Sequence, residues 1–197
     1  MGYSMDPLRT DCYENSTVLI NKFDIRDEAQ LDAVERSITS GLIAKTMIEM
    51  PFENVDFKFY KNLHNYVFSD IYEWAGSVRS IDMSKKGTNF CSATKINERA
   101  ERIFLNLQTT DYLKMVPTDE FVNEFTDLYC DLNYLHPFRE GNGRIQRLFL
   151  NMLLRYNNKT INFANIDKDL LMIATIKSVS GDVFMLRDIF KENIKSV

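Results

Sequence analysis

The sequence predicts an all-α fold, a compact helical bundle carrying one small β-hairpin, and three observations lead there. Its 197 residues include only 7 glycines and 4 prolines, about half the usual combined share, so long elements with few breaks are expected. Apolar residues recur at three- and four-residue spacing along most of the length. Residues 77–91 instead place side chains on alternate sides, as a strand does. With 45% hydrophobic and 26% charged residues, the chain can bury a sizeable core, and residues 1–197 are expected to form a single domain.

The first helix is marked by Leu31, Val34, Ile38 and Leu42, with Asp27 as its N-cap and Pro51 as its stop. A second follows Asp56 and aligns Phe59, Tyr60, Leu63, Val67 and Ile71. It is expected to end near Trp74-Ala75-Gly76, where glycine can take the left-handed conformation. His64 lies within it beside Leu63 and Val67, with no carboxylate or cysteine at ligand spacing, and reads as structural. In the hairpin, Val78, Ser80 and Asp82 fall opposite Arg79, Ile81 and Met83, and Ser84-Lys85-Lys86-Gly87-Thr88-Asn89 supplies the turn. Lys85 and Lys86 read as residues that keep an exposed edge soluble.

Ile96, Ala100, Ile103, Phe104 and Leu107 describe a third helix. After Pro117, a helix capped by Thr118, with Asp119 and Glu120 in its first turn, carries Phe121, Phe125, Leu128, Leu132 and Leu135. It ends at His136-Pro137, where proline disfavours helical geometry for His136 and puts that side chain on a loop edge. A new helix begins at about Asn142 and runs through Ile145, Leu148, Met152 and Leu153. Two shorter ones, roughly 168–178 and 182–194, close the chain.

Charge and cysteine content narrow the function. Lys and Arg number 24 against 28 Asp and Glu, a net charge of −4, which offers no broad attraction to nucleic-acid backbones. Cys12, Cys91 and Cys130 are odd in number, widely spaced and without a CxxC pair, so reduced thiols and a cytoplasmic setting are expected rather than a disulfide framework or zinc knuckle. No apolar stretch approaches the ~20 residues of a membrane span, and residues 1–16 lack the basic-then-apolar order of a signal peptide.

Chemistry concentrates in His136-Pro137-Phe138-Arg139-Glu140-Gly141-Asn142-Gly143-Arg144-Ile145-Gln146-Arg147. Gly141 and Gly143 let the backbone turn and approach a ligand closely. The free amides and positive end of the following helix make an anion cradle. Arg144 and Arg147, three apart on that helix, can both offer forked donors to phosphate oxygens. Glu140 is a hard oxygen ligand at the same mouth, suited to a Mg²⁺ whose other ligands are water and substrate phosphates. His136 lies beside them as a candidate general base.

This string resembles the Fic-domain signature HxFx(D/E)GNGRxxR at all eight defined positions. Further similarity is carried by Asn21-Lys22 with Ile25, by Asp70-Ile71-Tyr72-Glu73-Trp74-Ala75-Gly76, and by Arg79, Met83-Ser84-Lys85 and Phe90. The resemblance implies the Fic fold and protein adenylylation, the transfer of AMP from ATP to a Ser, Thr or Tyr hydroxyl of a target protein, and of the chain itself, with release of pyrophosphate. It implies His136 as the base, Glu140 as the Mg²⁺ ligand and Asn142 at the α-phosphate. The Gly141 and Gly143 amides with Arg144 would meet the β-phosphate, and Arg147 the γ-phosphate, with Gln146 also counted at the nucleotide. Phe138 would pack inward. Gly87, Thr88, Asn89 and Phe90 would form a flap that borders the nucleotide and aligns the target backbone by strand addition.

Doc-type relatives, which transfer phosphate, carry lysine at the second loop glycine; Gly143 is retained here, which favours AMP transfer. A catalytically silent nucleotide- or partner-binding module is the reading from another class, distinguished by ATP binding without transfer. The resemblance also implies toxin-like regulation by a glutamate that pairs with the second arginine. Glu14, in Thr10-Asp11-Cys12-Tyr13-Glu14-Asn15, and Glu192, in Asp188-Ile189-Phe190-Lys191-Glu192-Asn193, are the candidates within the chain; a separate antitoxin, or no such inhibition, are the other readings. A target protein, an antitoxin and a second copy of the chain are thus the expected partners, with neither nucleic acid nor membrane among them.

Overall fold

The computed structural model describes residues 11–85 and 87–197, together with the backbone of Ser4 and Met5. Among these residues are seven α-helices: α1 (Glu28–Glu49), α2 (Phe57–Phe68), α3 (Ile96–Thr109), α4 (Phe121–Leu135), α5 (Asn142–Tyr156), α6 (Lys168–Ser178) and α7 (Phe184–Asn193). Three begin at an aspartate whose carboxylate takes a first-turn amide: Asp27 from Gln30 at 2.8 Å, Asp56 from Phe59 at 2.7 Å and Asp167 from Leu170 at 2.8 Å. Such caps satisfy donors that have no partner inside the helix.

Two expected boundaries move. The second helix stops at Phe68 rather than near Gly76, because the amides of Ile71 and Tyr72 both close on the Phe68 carbonyl at 2.9 Å and tighten the chain into turns. Gly76 is left-handed (φ +80°) as expected, but within a turn. The fourth helix starts at Phe121, not at Thr118. Residues 118–120 form a turn, and the Glu120 amide bonds to the Pro117 carbonyl at 3.0 Å.

Helix α5 is the hub. It buries Ile145, Leu148, Phe149, Leu150, Leu153 and Leu154 around most of its circumference, the pattern of a helix with neighbours on several sides. Helices α1, α2 and α4 pack on it, α3 rests on α2 and α4, and α7 rests on α4 and α6. The Phe149 ring meets Tyr60 edge-on at 5.3 Å and Phe104 at 5.6 Å, geometries that add to the area they bury.

A hairpin is present, with a third strand, but it lies further along than expected: residues 78–82 form no strand, and the pairing falls within the stretch read as the turn. β2 (Met83–Lys85) pairs antiparallel with β3 (Thr88–Asn89), in the register Ser84 to Asn89 and Lys85 to Thr88. β1 (Ser4–Met5) adds to the other edge of β2, Ser4 opposite Ser84. Lys86 lies outside the described residues. A second small sheet, Lys159–Thr160 with Lys195–Ser196, was not anticipated; two-residue strands are too short for alternation to register.

Candidate active site

The chain turns sharply between α4 and α5. His136 caps α4 in the left-handed region, φ 41° and ψ 58°, leaving the helix as expected before a proline but not in the extended geometry that proline favours there. Phe138 is fully buried, 3.9 Å from the His64 ring and 5.7 Å from that of Tyr60. Asn142 clamps the turn from inside: its Oδ1 accepts the Phe138 amide at 2.8 Å and its Nδ2 donates to the Phe138 carbonyl at 2.7 Å. Gly141, φ +78°, presses against Phe68, where a Cβ would lie 2.3 Å from the ring. Only glycine fits there. Gly141 is also the N-cap of α5 and provides no side-chain cap.

The turn opens onto a cavity of about 650 Å³ lined by His136, Glu140, Gly143, Arg144 and Arg147, with Thr88 and Phe90 of the hairpin. Arg147 is exposed, with Nη1 3.3 Å from where a Cβ on Gly143 would sit. Arg144 is held from behind, paired with Glu35 of α1, 3.6 Å from Glu140 and 4.8 Å above the Phe68 ring. The far wall is apolar, built from Phe163, Ile166, Leu171, Met172, Ile176 and Val179. The cavity therefore pairs a cationic floor with an apolar side, the combination that suits a phosphate ester of an aromatic base.

His136 is sandwiched between its own loop and the hairpin. Its ring stacks on Phe90 at 3.7 Å with planes 8° apart. Its Nδ1 is 3.3 Å from the Asn133 carbonyl, which can only accept, so Nδ1 carries the hydrogen and Nε2 the basic lone pair. Burial pushes its pKa down to about 3, opposed by the bond to Asn133, while Arg79 and Lys85 push it further down. The ring is therefore neutral at pH 7. Anionic phosphates beside it favour the imidazolium and would raise that value.

Arg79 joins the hairpin to the loop at His136 and Pro137. It is buried, and its guanidinium donates to the carbonyls of His136 (2.8 Å), Ile81 (2.6 Å) and Cys91, while its amide donates to the Pro137 carbonyl at 2.9 Å. Asp82 fixes the other side of the hairpin base by accepting from the Ala93 amide at 2.7 Å and the Ser92 hydroxyl at 3.1 Å. The Ala93 amide is the main reason its carboxyl lies below its usual pKa.

His64, read as structural from the sequence, connects the Trp-Ala-Gly corner to this loop. Nδ1 accepts the Gly76 amide at 2.9 Å, so Nε2 bears the hydrogen and donates to the Glu140 carbonyl at 3.0 Å. Burial lowers its pKa to about 4, against the usual 6.5, despite the Glu140 bond, and Arg144 lowers it further. Between these values the unfolded chain holds a proton that the folded chain does not, so stability rises with pH. The His64 contribution, about 3 kcal/mol, is complete above pH 6.5, is lost as pH falls from 6.5 to 4, and changes no further below. Urea midpoints at pH 7 and pH 4.5 should therefore differ less in His64→Gln than in the parent chain.

Other expected site residues are placed as follows. His136, Glu140, Gly143, Arg144, Arg147, Thr88 and Phe90 share the cavity; Gly87 and Asn89 lie on the hairpin outside its lining. Asn142 is buried with both ends of its amide on Phe138. Gln146 is also buried, donating to the Tyr129 carbonyl of α4 at 2.8 Å, and is not among the residues that line the cavity. Glu14 is exposed in a tight turn and Glu192 is exposed on α7, and neither lines the cavity or pairs with Arg147 among the described residues; Thr10, which opens the first pattern, lies outside those residues. Sequence reasoning missed Glu35, Tyr129 and the apolar wall of α6. Each is brought in by packing between distant segments, without a local signal. Among the described residues no group of three or more His, Cys, Asp and Glu side chains gathers, so a cation here would rest on Glu140 and on ligands carried by the substrate.

A family model described as the Fic/DOC family matches residues 54–154. A probable protein adenylyltransferase of Sinorhizobium fredii is 35% identical over 179 residues, 90% of this chain and 90% of that protein. The protein adenylyltransferase VbhT of Bartonella schoenbuchensis is 32% identical over 180 residues, 90% of this chain and 37% of that protein. The crystal structure of BepC, a translocated effector of Bartonella tribocorum with bound AMPPNP, superposes with a TM-score of 0.87 at 25% identity, covering 95% of this chain and 97% of that one.

Proposed function

The chain belongs to the Fic/DOC family, and on that premise we propose that its site is a protein adenylyltransferase that moves AMP from ATP to a Ser, Thr or Tyr hydroxyl of a target protein. The observation that carries this reading is the convergence of a neutral, stacked His136 with Arg144, Arg147 and the open Gly143 in one cavity. His136 Nε2 takes the hydroxyl proton as the oxygen attacks the α-phosphorus. The bond from the α-phosphorus to its bridging oxygen breaks, and pyrophosphate leaves with the electron pair. Arg144 meets charge at the β-phosphate and Arg147 at the γ-phosphate, an electrostatic contribution that positioning amplifies. Gly143 keeps the space that a side chain would fill.

Glu140, a hard carboxylate partly exposed in the cavity, is the residue that would hold Mg²⁺, which when bound neutralises the departing phosphates. Phe90 covers His136, and the β3 edge is the place for a target segment to add as a strand. The relatives' printed names supply the reaction class. Free thiols at Cys91 and Cys130 support a reducing, cytoplasmic setting. No helix among the described residues is long and apolar enough to cross a membrane. Arg147, with no ion pair among the described residues, leaves an anion position that an antitoxin's carboxylate could take, in keeping with a toxin role. Label placed on the α-phosphate of ATP should move to protein, and label on the γ-phosphate should not.

A further inference from the structure

Helix α1 buries an unexpected face. Leu31 shares it with Glu35, Thr39 and Thr46, and Glu35 is only 5% exposed. A buried carboxylate must be paired and hydrogen-bonded to persist as a charge. One Glu35 oxygen accepts from Arg144 Nη2, and the other accepts the Tyr72 hydroxyl. Thr39 Oγ1 lies 3.4 Å from Arg144 Nη1 and itself donates to the Glu35 carbonyl at 2.7 Å. The Phe68 ring closes the underside at 4.8 Å. These contacts use donors on one edge of a group that has five, and the others remain for the cavity that Arg144 lines. Arg147, on the same helix, is exposed with no such support among the described residues.

We propose that Glu35 is a positioning residue for nucleotide binding: with Tyr72 and Thr39 it fixes the guanidinium of Arg144 so that its free donors meet one phosphate of the nucleotide, the β-phosphate. The inference rests on the adenylyltransferase reading, which puts Arg144 at that phosphate. Its consequence is selective. Loss of Glu35 weakens ligands that possess a β-phosphate and spares those that do not, because the cavity's apolar wall and His136 do not depend on α1.

Titration calorimetry with AMP and with ADP, on the parent chain and on Glu35→Gln, tests this. The parent should bind ADP more tightly than AMP. Glu35→Gln should lose about tenfold or more toward ADP, the scale of one charge-assisted hydrogen bond, with AMP affinity within about twofold. Tyr72→Phe, which removes only the hydroxyl behind Glu35, should show the same pattern to a smaller degree and keeps the test informative if Glu35→Gln does not fold. Equal losses for AMP and ADP would assign Glu35 a general structural role and overturn the proposal, as would unchanged ADP affinity in both variants. A parent chain that binds neither nucleotide, or binds both equally, would overturn the adenylyltransferase reading itself.

Discussion

Replacing His136 with alanine is expected to lower AMP transfer by about 10²- to 10⁴-fold, the usual contribution of a positioned general base, while ATP affinity changes little. The asymmetry follows from the division of labour. In the proposed mechanism Arg144 and Arg147 hold phosphates from α5, whereas His136 sits at the end of α4 with its basic nitrogen set by the bond from Nδ1 to the Asn133 carbonyl. Removing the ring also removes the face on which Phe90 stacks at 3.7 Å, so the hairpin tip should gain mobility. Initial rates with α-labelled ATP, beside calorimetric ATP binding, separate the two effects. A variant that loses binding as much as rate would assign His136 to nucleotide binding instead.

Arg79→Met should be the most damaging change outside the cavity lining. Methionine fills similar space but leaves the carbonyls of His136, Ile81 and Cys91 without their shared donor. Buried acceptors stripped of a charged partner cost about 1–3 kcal/mol each, so a loss of about 3 kcal/mol in unfolding free energy is expected, together with a fall in transfer rate. The distinguishing readout is local. Hydrogen exchange should accelerate at the Phe90 and Cys91 amides, which bond to the Met83 and Tyr134 carbonyls, while the centre of α5 stays protected. Arg79→Lys, which keeps the charge with a single nitrogen, should recover part of both effects.

The features most legible in the sequence are those set by near neighbours. Asp27, Asp56 and Asp167 open helices because a carboxylate three residues ahead of a free amide is a local event. The His136-to-Arg147 stretch is equally readable, since its glycines, its histidine and its paired arginines lie on one continuous turn and helix. Misreadings arose where tertiary packing competes with periodicity. Ile71 and Tyr72 keep the apolar spacing of α2 and are buried, yet they sit in turns beyond its end. Gln146 falls in the signature but its angular position on α5 points it to Tyr129. Glu35 is the clearest case. Its stripe of Leu31, Val34, Ile38 and Leu42 suggested an apolar face, and the polar burial of Glu35 has meaning only opposite Arg144, 109 residues away. The wall contributed by α6 was illegible for the same reason.

Parallel incubations of the chain and a host lysate with ATP labelled at the α- or the γ-phosphate decide whether this cavity transfers AMP or phosphate. Protein-bound label is expected from the α position only, dependent on His136 and Mg²⁺. Label arriving from the γ position alone would contradict AMP transfer.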